Sequence, residues 1–485
     1  MNILVLTPDT DIDRRITLQA NSLVKHGFKV TIIGVPFSGD NFLSGTIDPN
    51  IAIKRIDLQN IEYHSKIVKF YRGIHKKIMS FAYKRNDFIN QYANKNMVAI
   101  EENTSYKLVR KSKNKMVSIN TRLLNWITTK CIALVQKMVN VFYNLVLKFF
   151  RTFNINFFPL FDKAFYNAGI QEEFDLVVAN DLPALKAGYM LAKERNVPLI
   201  YDAHENYTEQ CTLPKKYALL LEEIEAQILP EVDFWIVPNE LLGEQIIEKC
   251  QKKYNVTVKE PLVIQNAVKH WEEYLNYQHS DLFREKLGIG REKKILLFQG
   301  GFLGKRNLEN LVKAMKYVKN ENVVLVMLGF GTYVEVLKSI ARKLNVESKV
   351  YFMEAVSQDE LLKYTCSADV GIIPYPAVDK NTYYCSPNKL YEFIQARLPI
   401  LANDLPFLRK VIIGEEIGIV QDFSNPKFIA NAIDLFFEDE SKLQHFKEKL
   451  NDAARRINWE VEEQKLTGEY LTMRKTEKVL EKVFV

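Results

Sequence analysis

The sequence is poor in cysteine, and its few cysteines form no recognisable motif. There are five, at positions 131, 211, 250, 366 and 385, and no two are spaced as a Cys-x-x-Cys pair. An odd, scattered set argues against a disulfide framework and against a zinc site. It fits a reducing compartment, so we expect a cytoplasmic protein that needs no bound metal.

The sequence also lacks an uninterrupted apolar run long enough to cross a membrane. Its most apolar stretch is TRLLNWITTKCIALVQKMVNVFYNLVLKFFRTF. Gln136, Lys137, Asn140, Asn144 and Lys148 interrupt it before about 18 apolar residues accumulate. An amphipathic surface helix fits this pattern better. The opening MNILVLTPD reads as a strand, without the basic region and apolar core of a signal peptide.

Positive charge is concentrated in one part of the chain. The whole chain carries a net charge of +7, but residues 62–151 hold 18 Lys or Arg against 4 Asp or Glu, a net +14. The rest of the chain is therefore acidic. This asymmetry indicates an anionic partner for the segment, or else a helical insertion with a solvated basic face. No RNA or DNA module surrounds it, so we expect an anionic membrane surface at residues 61–151 rather than nucleic acid.

Strands and helices alternate along most of the 485 residues, whose 47% hydrophobic content is enough for sizeable cores. ILVLTP, DRRITLQANSLVKHG and KVTIIGV form a strand-helix-strand opening, and a second series starts near Lys293. Such alternation predicts parallel sheets of the doubly wound α/β kind. We expect a first domain over residues 1–270, interrupted by the basic helical segment at about 61–163. A second domain follows over 271–460, and a final helix over 461–485 packs back on the first domain.

A glycine-rich loop follows the first strand of the second series. In FQGGFLGKRN, Gly300 and Gly301 permit close approach of a ligand to the backbone. Lys305 and Arg306 then lie just before a helix, where cations oppose the helix dipole. A bound phosphate would remove that conflict. The alternative is an ordinary glycine turn with exposed basic residues, and the later LGFGTYVE is a weaker signal of the same kind.

The stretch YYCSPNKLYEF predicts the start of another helix beside a ligand. Ser386 suits the N-cap, and Pro387 suits the first helical position. The free N–H groups of Asn388, Lys389 and Leu390 could then hold a phosphate. Lys389 and Glu392 share a face, and Glu392 could accept hydrogen bonds from a pair of sugar hydroxyls. The alternative is a capped surface helix with a Lys–Glu pair.

A histidine follows a predicted strand in YDAHENY. His204 stands there between Asp202 and Glu205. At the end of a strand in a cleft, it could contact a substrate or polarise a phosphate. The alternative is a hydrogen-bonded structural histidine.

Jointly, these motifs resemble the retaining family 4 glycosyltransferases, which have the GT-B architecture. SPNKLYEFIQARLPILAND is similar to that family's SPNK helix, FQGGFLGKRN to its glycine loop, and YDAHE to its DAHE strand end. DRRITLQANSLVKHGFKVTII is similar to its first helix. The resemblance covers residues 1–55 and 165–460 and skips the basic segment. It implies two Rossmann-like domains that face a cleft.

The resemblance also implies the substrates. A UDP- or GDP-linked sugar would bind mainly to the second domain, and the acceptor would lie on the first domain. Gly301, Arg306 and Lys389 would meet the diphosphate, Glu392 the ribose, and the backbone near Val356 the base. Arg15 would lie near the acceptor, and His204 would touch the transferred sugar or the acceptor. We count Gly300, Ser386, Asn388 and Leu390 with the donor-binding residues.

The resemblance further implies a retaining, metal-independent mechanism. An oxygen of the β-phosphate takes the acceptor proton in such enzymes, so we expect no dedicated base. One position departs from the family, since Tyr384 replaces a glutamate that contacts the donor sugar. The expected acceptor is a glycan or a lipid-linked molecule at the inner face of the cell membrane. A nucleotide-sugar 2-epimerase and a non-catalytic GT-B subunit remain alternatives.

Overall fold

The computed structural model describes residues 1–35, 48–56 and 160–483, with scattered helical positions between residues 77 and 141. Residues 1–58 and 161–485 form one compact unit, and residues 59–160 form a second. The prediction of membrane contact through residues 61–151 lies almost entirely outside the described residues. Within the described ranges, no helix is both long enough and apolar enough to cross a bilayer.

Seven parallel strands form the first sheet, in the order β3-β2-β1-β4-β5-β6-β7. Their bounds are Asn2–Leu6 (β1), Lys29–Gly34 (β2), Ala52–Arg55 (β3), Leu176–Asn180 (β4), Leu199–Asp202 (β5), Phe234–Val237 (β6) and Leu262–Val263 (β7). Every residue of β4 and β5 is buried, as expected for central strands of a sheet that helices cover on both faces.

In the part of the chain that the structure describes, five α-helices alternate with the strands of the first sheet. They are Arg14–Lys25 (α1), Leu160–Gly169 (α2), Leu182–Arg195 (α3), Lys215–Ile228 (α4) and Glu240–Tyr254 (α5). Polar side chains start two of them: Asp13 accepts from the backbone N–H of Arg15, and Asn239 accepts from that of Leu242. These caps satisfy N–H groups that have no acceptor within the helix.

Six parallel strands form the second sheet, in the order β10-β9-β8-β11-β12-β13. Their bounds are Lys294–Gln299 (β8), Val323–Gly329 (β9), Val350–Glu354 (β10), Val370–Ile373 (β11), Ile400–Asn403 (β12) and Gly418–Gln421 (β13). The helices of this part are Tyr274–Tyr277 (α6), Leu282–Leu287 (α7), Leu308–Ala314 (α8), Val334–Leu344 (α9), Gln358–Thr365 (α10), Lys380–Tyr383 (α11), Asn388–Gln395 (α12), Pro406–Gly414 (α13), Pro426–Glu438 (α14) and Glu440–Arg456 (α15). The prediction of two doubly wound α/β domains is confirmed.

The last helix, Trp459–Val483 (α16), lies against the first sheet's helix α1. The Trp459 indole N–H donates to Ser22 Oγ at 3.0 Å. The ring of Tyr470 packs edge-on against Phe28 and Phe234. Residues of β1 and of α16, such as Ile3 and Tyr470, therefore share one hydrophobic core.

Each sheet reverses its strand order at one place, between β1 and β4 in the first and between β8 and β11 in the second. In open parallel sheets, ligands bind beyond the carboxyl ends of the strands at such a reversal. The loops after β1, β4, β5, β8 and β11 therefore hold the candidate site.

Candidate functional site

A cavity of about 460 Å³ lies beyond the carboxyl edge of the second sheet. Eight residues predicted from the sequence line it: Gly300, Gly301, Arg306, Val356, Ser386, Asn388, Lys389 and Glu392. Four of the further lining residues, Gln299, Phe330, Gln358 and Tyr375, were not predicted as site residues from the sequence. Motifs that are separate in sequence thus meet in one concave site, as the strand-end rule predicts.

The floor of the cavity needs glycine. Gly300 has a φ of +123°, which non-glycine residues rarely adopt. A Cβ on Gly329 would stand 1.9 Å from the carbonyl oxygen of Gly300. The loops after β8 and β9 can therefore touch only because position 329 lacks a side chain. Close packing therefore explains the glycines of LGFG. Gly329 also lines the cavity.

Two cationic side chains converge above Gly300. A Cβ there would lie 3.5 Å from Arg306 Nη1 and 3.7 Å from Lys389 Nζ. The Tyr375 ring lies beneath both, with its centroid 5.3 Å from Arg306 Cζ and 4.3 Å from Lys389 Nζ. Lys389 is buried, yet no carboxylate in the described part of the chain forms an ion pair with either cation. Buried charge without a counterion favours an anionic ligand.

Helix α12 begins one residue later than the sequence suggested. Pro387 is its N-cap in an extended conformation, so Ser386 is not the cap. The Ser386 hydroxyl instead hydrogen-bonds the Tyr391 hydroxyl at 2.6 Å. The N–H of Leu390 donates to the carbonyl of Pro387, and the Leu390 side chain is fully buried. The prediction of Leu390 as a phosphate donor is therefore wrong, and the free first-turn N–H groups belong to Asn388 and Lys389.

Glu392 is held by one residue from each α/β domain. Its Oε2 accepts from Gln299 Nε2 at 2.6 Å. Its Oε1 accepts from Arg14 Nη1 at 2.7 Å, across 378 positions of sequence. The alternative of a Lys389–Glu392 surface pair is wrong, because Lys389 bonds the Tyr375 hydroxyl and Glu392 pairs with Arg14.

His204 lies at the carboxyl edge of the first sheet between two carboxylates. Its Nδ1 is 3.8 Å from Asp181 Oδ2, and its Nε2 is 3.6 Å from Asp202 Oδ2. Burial and the charge of Arg15 would lower the pKa of His204, but these carboxylates outweigh them and raise it to about 9. The two carboxylates therefore favour the protonated, cationic form of the ring.

Asp181 fixes the backbone of that histidine. Its Oδ1 accepts from the His204 N–H at 2.9 Å. Asp181 has a φ of +56°, a strained conformation that costs about 1–3 kcal/mol outside glycine. Strain of this kind persists where the surrounding structure enforces it, commonly at functional sites. Asp181 could have been predicted as a site residue from the sequence, because it is a polar residue directly after the buried strand β4.

Arg15 does not reach into the open cleft. Its guanidinium forms an ion pair with the fully buried Asp202 and donates to Asn266 Oδ1 at 2.9 Å. Gln19 Nε2 bonds the other oxygen of Asp202 at 2.7 Å. With Arg15 only 4% exposed, its expected place beside the acceptor is corrected to a buried ion pair.

The segment between β11 and α12 lies against the loop after β5. Asn381 accepts from the Asn206 N–H at 2.9 Å and donates to Glu205 at 2.9 Å. The carbonyl of Tyr384 accepts from Asn239 Nδ2 at 3.0 Å. Tyr384 itself is not among the residues that line the cavity. These contacts join the loop after β5, which carries His204, to the segment that leads into α12.

Comparison with known families gives a match in the second part of the chain. Residues 279–453 match the model of the family described as "Glycosyl transferases group 1". This range contains the whole second sheet and every lining residue of the cavity. The second part of the chain is therefore similar to group 1 glycosyltransferase domains.

Two curated relatives carry related names. A 201-residue stretch is 29% identical to an uncharacterized glycosyltransferase of Methanocaldococcus jannaschii, covering 41% of this chain and 50% of the relative. Another of 283 residues is 23% identical to an alpha-monoglucosyldiacylglycerol synthase of Streptococcus pneumoniae, covering 55% of this chain and 62% of the relative. The chain thus spans half to three fifths of these relatives.

Solved structures share the fold over nearly the whole chain. Sucrose-phosphate synthase of Thermosynechococcus elongatus superposes with a TM-score of 0.62 at 14% identity, covering 98% of this chain and 100% of that one. HepE of Anabaena, solved with UDP and glucose, gives 0.59 at 12% identity, covering 97% and 100%. The predicted GT-B architecture is confirmed.

Proposed function

We propose that this protein is a retaining glycosyltransferase that moves a sugar from a UDP- or GDP-linked donor to a membrane-proximal glycan or lipid-linked acceptor. The convergence of Arg306 and Lys389 over Gly300 carries the proposal. A nucleoside diphosphate is the anion that fits a site with two cations and a helix N-terminus. The glycosyltransferase domain and the UDP complex of a structural neighbour support it.

The proposed mechanism assigns the leaving group to the second sheet. When the sugar–phosphate bond breaks, negative charge develops on the departing diphosphate. Arg306, Lys389 and the first-turn N–H groups of α12 then stabilise the transition state, because they are already oriented toward that charge. Glu392 binds the ribose, and the backbone at Val356 meets the base. We propose that this arrangement works without a metal.

The first sheet receives the transferred sugar and the acceptor. His204, as a cation held by Asp181, donates hydrogen bonds to hydroxyls of either sugar. Retention of configuration needs no separate base if a β-phosphate oxygen takes the acceptor proton.

An exposed face at the start of α4 supports a membrane-proximal acceptor. Lys215, Lys216, Tyr217 and Leu219 are all exposed there. Tyr217 lies close enough to Asp162 of α2 for that carboxylate to add to the effect of burial in raising its pKa. Helix α2 is the first element after the basic segment. Lysine, tyrosine and leucine side by side suit the interface of an anionic bilayer, and the S. pneumoniae relative is named for a glycolipid product.

The function is tested with the purified chain, a panel of nucleotide sugars and a lipid extract. A UDP- or GDP-linked donor is expected to raise the melting temperature, because it binds only the folded state. With lipid extract present, mass spectrometry should find a glycosylated product and free nucleoside diphosphate. Conversion of the donor to its 2-epimer without an acceptor would contradict the proposal, as would donor binding with no transfer to any lipid or glycan.

The membrane face is tested by charge reversal. Lys215→Glu together with Lys216→Glu should reduce binding to vesicles of one-third anionic lipid by about tenfold or more, since each lysine near an anionic surface contributes about 1 kcal/mol. Flotation of the variant and the unaltered protein with the same vesicles measures the loss.

The matched control reverses two exposed lysines of α15. Lys442→Glu with Lys447→Glu changes the net charge equally but alters the other domain. It should change vesicle binding by less than about threefold. Equal losses in both variants would show a general charge effect and remove the α4 face from the docking surface.

A further inference from the structure

The ion pair between Arg14 and Glu392 has no part in the function proposed above. Arg14 opens helix α1 beside the first sheet, and Glu392 lies in α12 beside the second. Their side chains are 12% and 10% exposed, so the pair is nearly buried. The pair therefore joins the two halves of the cleft at the residue assigned to the ribose.

Each oxygen of Glu392 already accepts a hydrogen bond from the protein. Arg14 holds Oε1 at 2.7 Å, and Gln299 holds Oε2 at 2.6 Å. Gln299 is itself fixed, since its Oε1 accepts from Thr365 Oγ1 at 2.8 Å. A vicinal diol donates two hydrogen bonds and needs to approach the carboxylate closely. Of the two protein donors, Gln299 belongs to the wall of the cavity, whereas Arg14 reaches over from the other domain.

We infer that Arg14 is a latch that competes with the nucleotide ribose for Glu392. Binding of the ribose displaces the guanidinium from Oε1, and release of the nucleotide lets it return. The inference rests on the proposed donor site. It makes Arg14 a positioning residue, because it acts through Glu392.

The latch has a consequence for affinity. A nucleotide that must displace Arg14 binds only the fraction of molecules in which Glu392 is free, and its apparent Kd is larger by that factor. A charge-assisted hydrogen bond between nearly buried groups is strong enough to keep that fraction near one tenth. Removing Arg14 should therefore tighten binding, although it takes a positive charge away from an anion site.

The test measures nucleotide binding to Arg14→Met by titration calorimetry. The Kd of the nucleoside diphosphate that binds the unaltered protein, UDP or GDP, should fall about tenfold. Its 2′,3′-dideoxy analogue, which lacks the hydroxyls, should bind both proteins equally. Inorganic pyrophosphate should not bind Arg14→Met more tightly. Arg14→Gln should give a smaller tightening and serves in place of Arg14→Met if that variant does not fold.

A double variant connects the effect to its partner. In a Glu392→Gln background, Arg14→Met should no longer change the Kd, because the carboxylate for which Arg14 and the ribose compete is gone. Unchanged or weaker nucleotide binding by Arg14→Met would overturn the latch and leave the donor site standing. Failure of UDP and GDP to bind either protein would overturn both.

Discussion

Arg306→Ala is expected to lower kcat/KM for sugar transfer by about 10²–10³-fold. Its guanidinium is one of two cations that converge above Gly300. A donor oriented toward developing charge in a water-poor site is worth about 3–4 kcal/mol in the transition state. Since the interaction grows as the diphosphate departs, most of the loss should appear in kcat rather than in KM. Steady-state kinetics with a donor and acceptor pair from the screen measures both parameters.

The adjacent lysine gives the matched control for Arg306. Lys305 is exposed and points to Cys211, with Nζ 3.2 Å from Sγ, instead of lining the cavity. Lys305→Ala should therefore change kcat/KM by less than about threefold. Both variants should melt close to the unaltered protein, because Arg306 makes one long hydrogen bond, 3.3 Å, to Gly301. A fully active Arg306→Ala enzyme would contradict the assignment of the diphosphate site.

Local sequence rules predicted the second half of the cleft well. Glycine after a buried strand, and an Asn-Lys pair after Ser-Pro, are short-range signals. Parallel sheets bring all strand ends to one edge, so Gly300, Arg306 and Lys389 had to meet. The same rules gave the alternation of strands and helices, because each element is encoded within about ten neighbouring residues.

Contacts between distant residues could not be predicted in this way. Arg14 and Arg15 are adjacent and chemically alike, yet one pairs with Glu392 and the other with Asp202. Which arginine takes which carboxylate depends on the direction each side chain leaves α1, a property of the packed fold. The start of α12 also depended on context, since Tyr391 takes the Ser386 hydroxyl that would have capped the helix.

The charge states of the polar residues beside the first sheet also depend on packing. Burial would raise the pKa of Asp202, but Arg15 and His204 lower it below its ordinary value. Asp202 in turn helps to keep His204 protonated. The charges of all three residues are therefore mutually dependent, and no motif encodes that dependence. Arg15 lies within the domain, where its ion pair with Asp202 supports the site.

Arg15→Met is accordingly expected to destabilise the fold by about 3–5 kcal/mol, because it leaves the carboxylate of Asp202 buried without its main counterion. Urea unfolding followed by circular dichroism measures the change. Lys25→Met, at the exposed end of the same helix, should cost no more than about 0.5 kcal/mol. The comparison separates loss of a buried charge pair from loss of any cation on α1.

A second substitution shows whether stability depends on the Arg15–Asp202 pair or on Arg15 alone. In Arg15→Met with Asp202→Asn, no unpaired charge remains buried, so the double variant should regain at least about 1 kcal/mol relative to Arg15→Met. If Arg15 instead contacted the acceptor, Arg15→Met would raise the acceptor KM and leave the unfolding free energy unchanged. That outcome would restore the role first expected from the sequence. The burial of Arg15 and its bond to Asn266, whose Nδ2 donates to the carbonyl of Ser386 at 2.8 Å, favour the structural role.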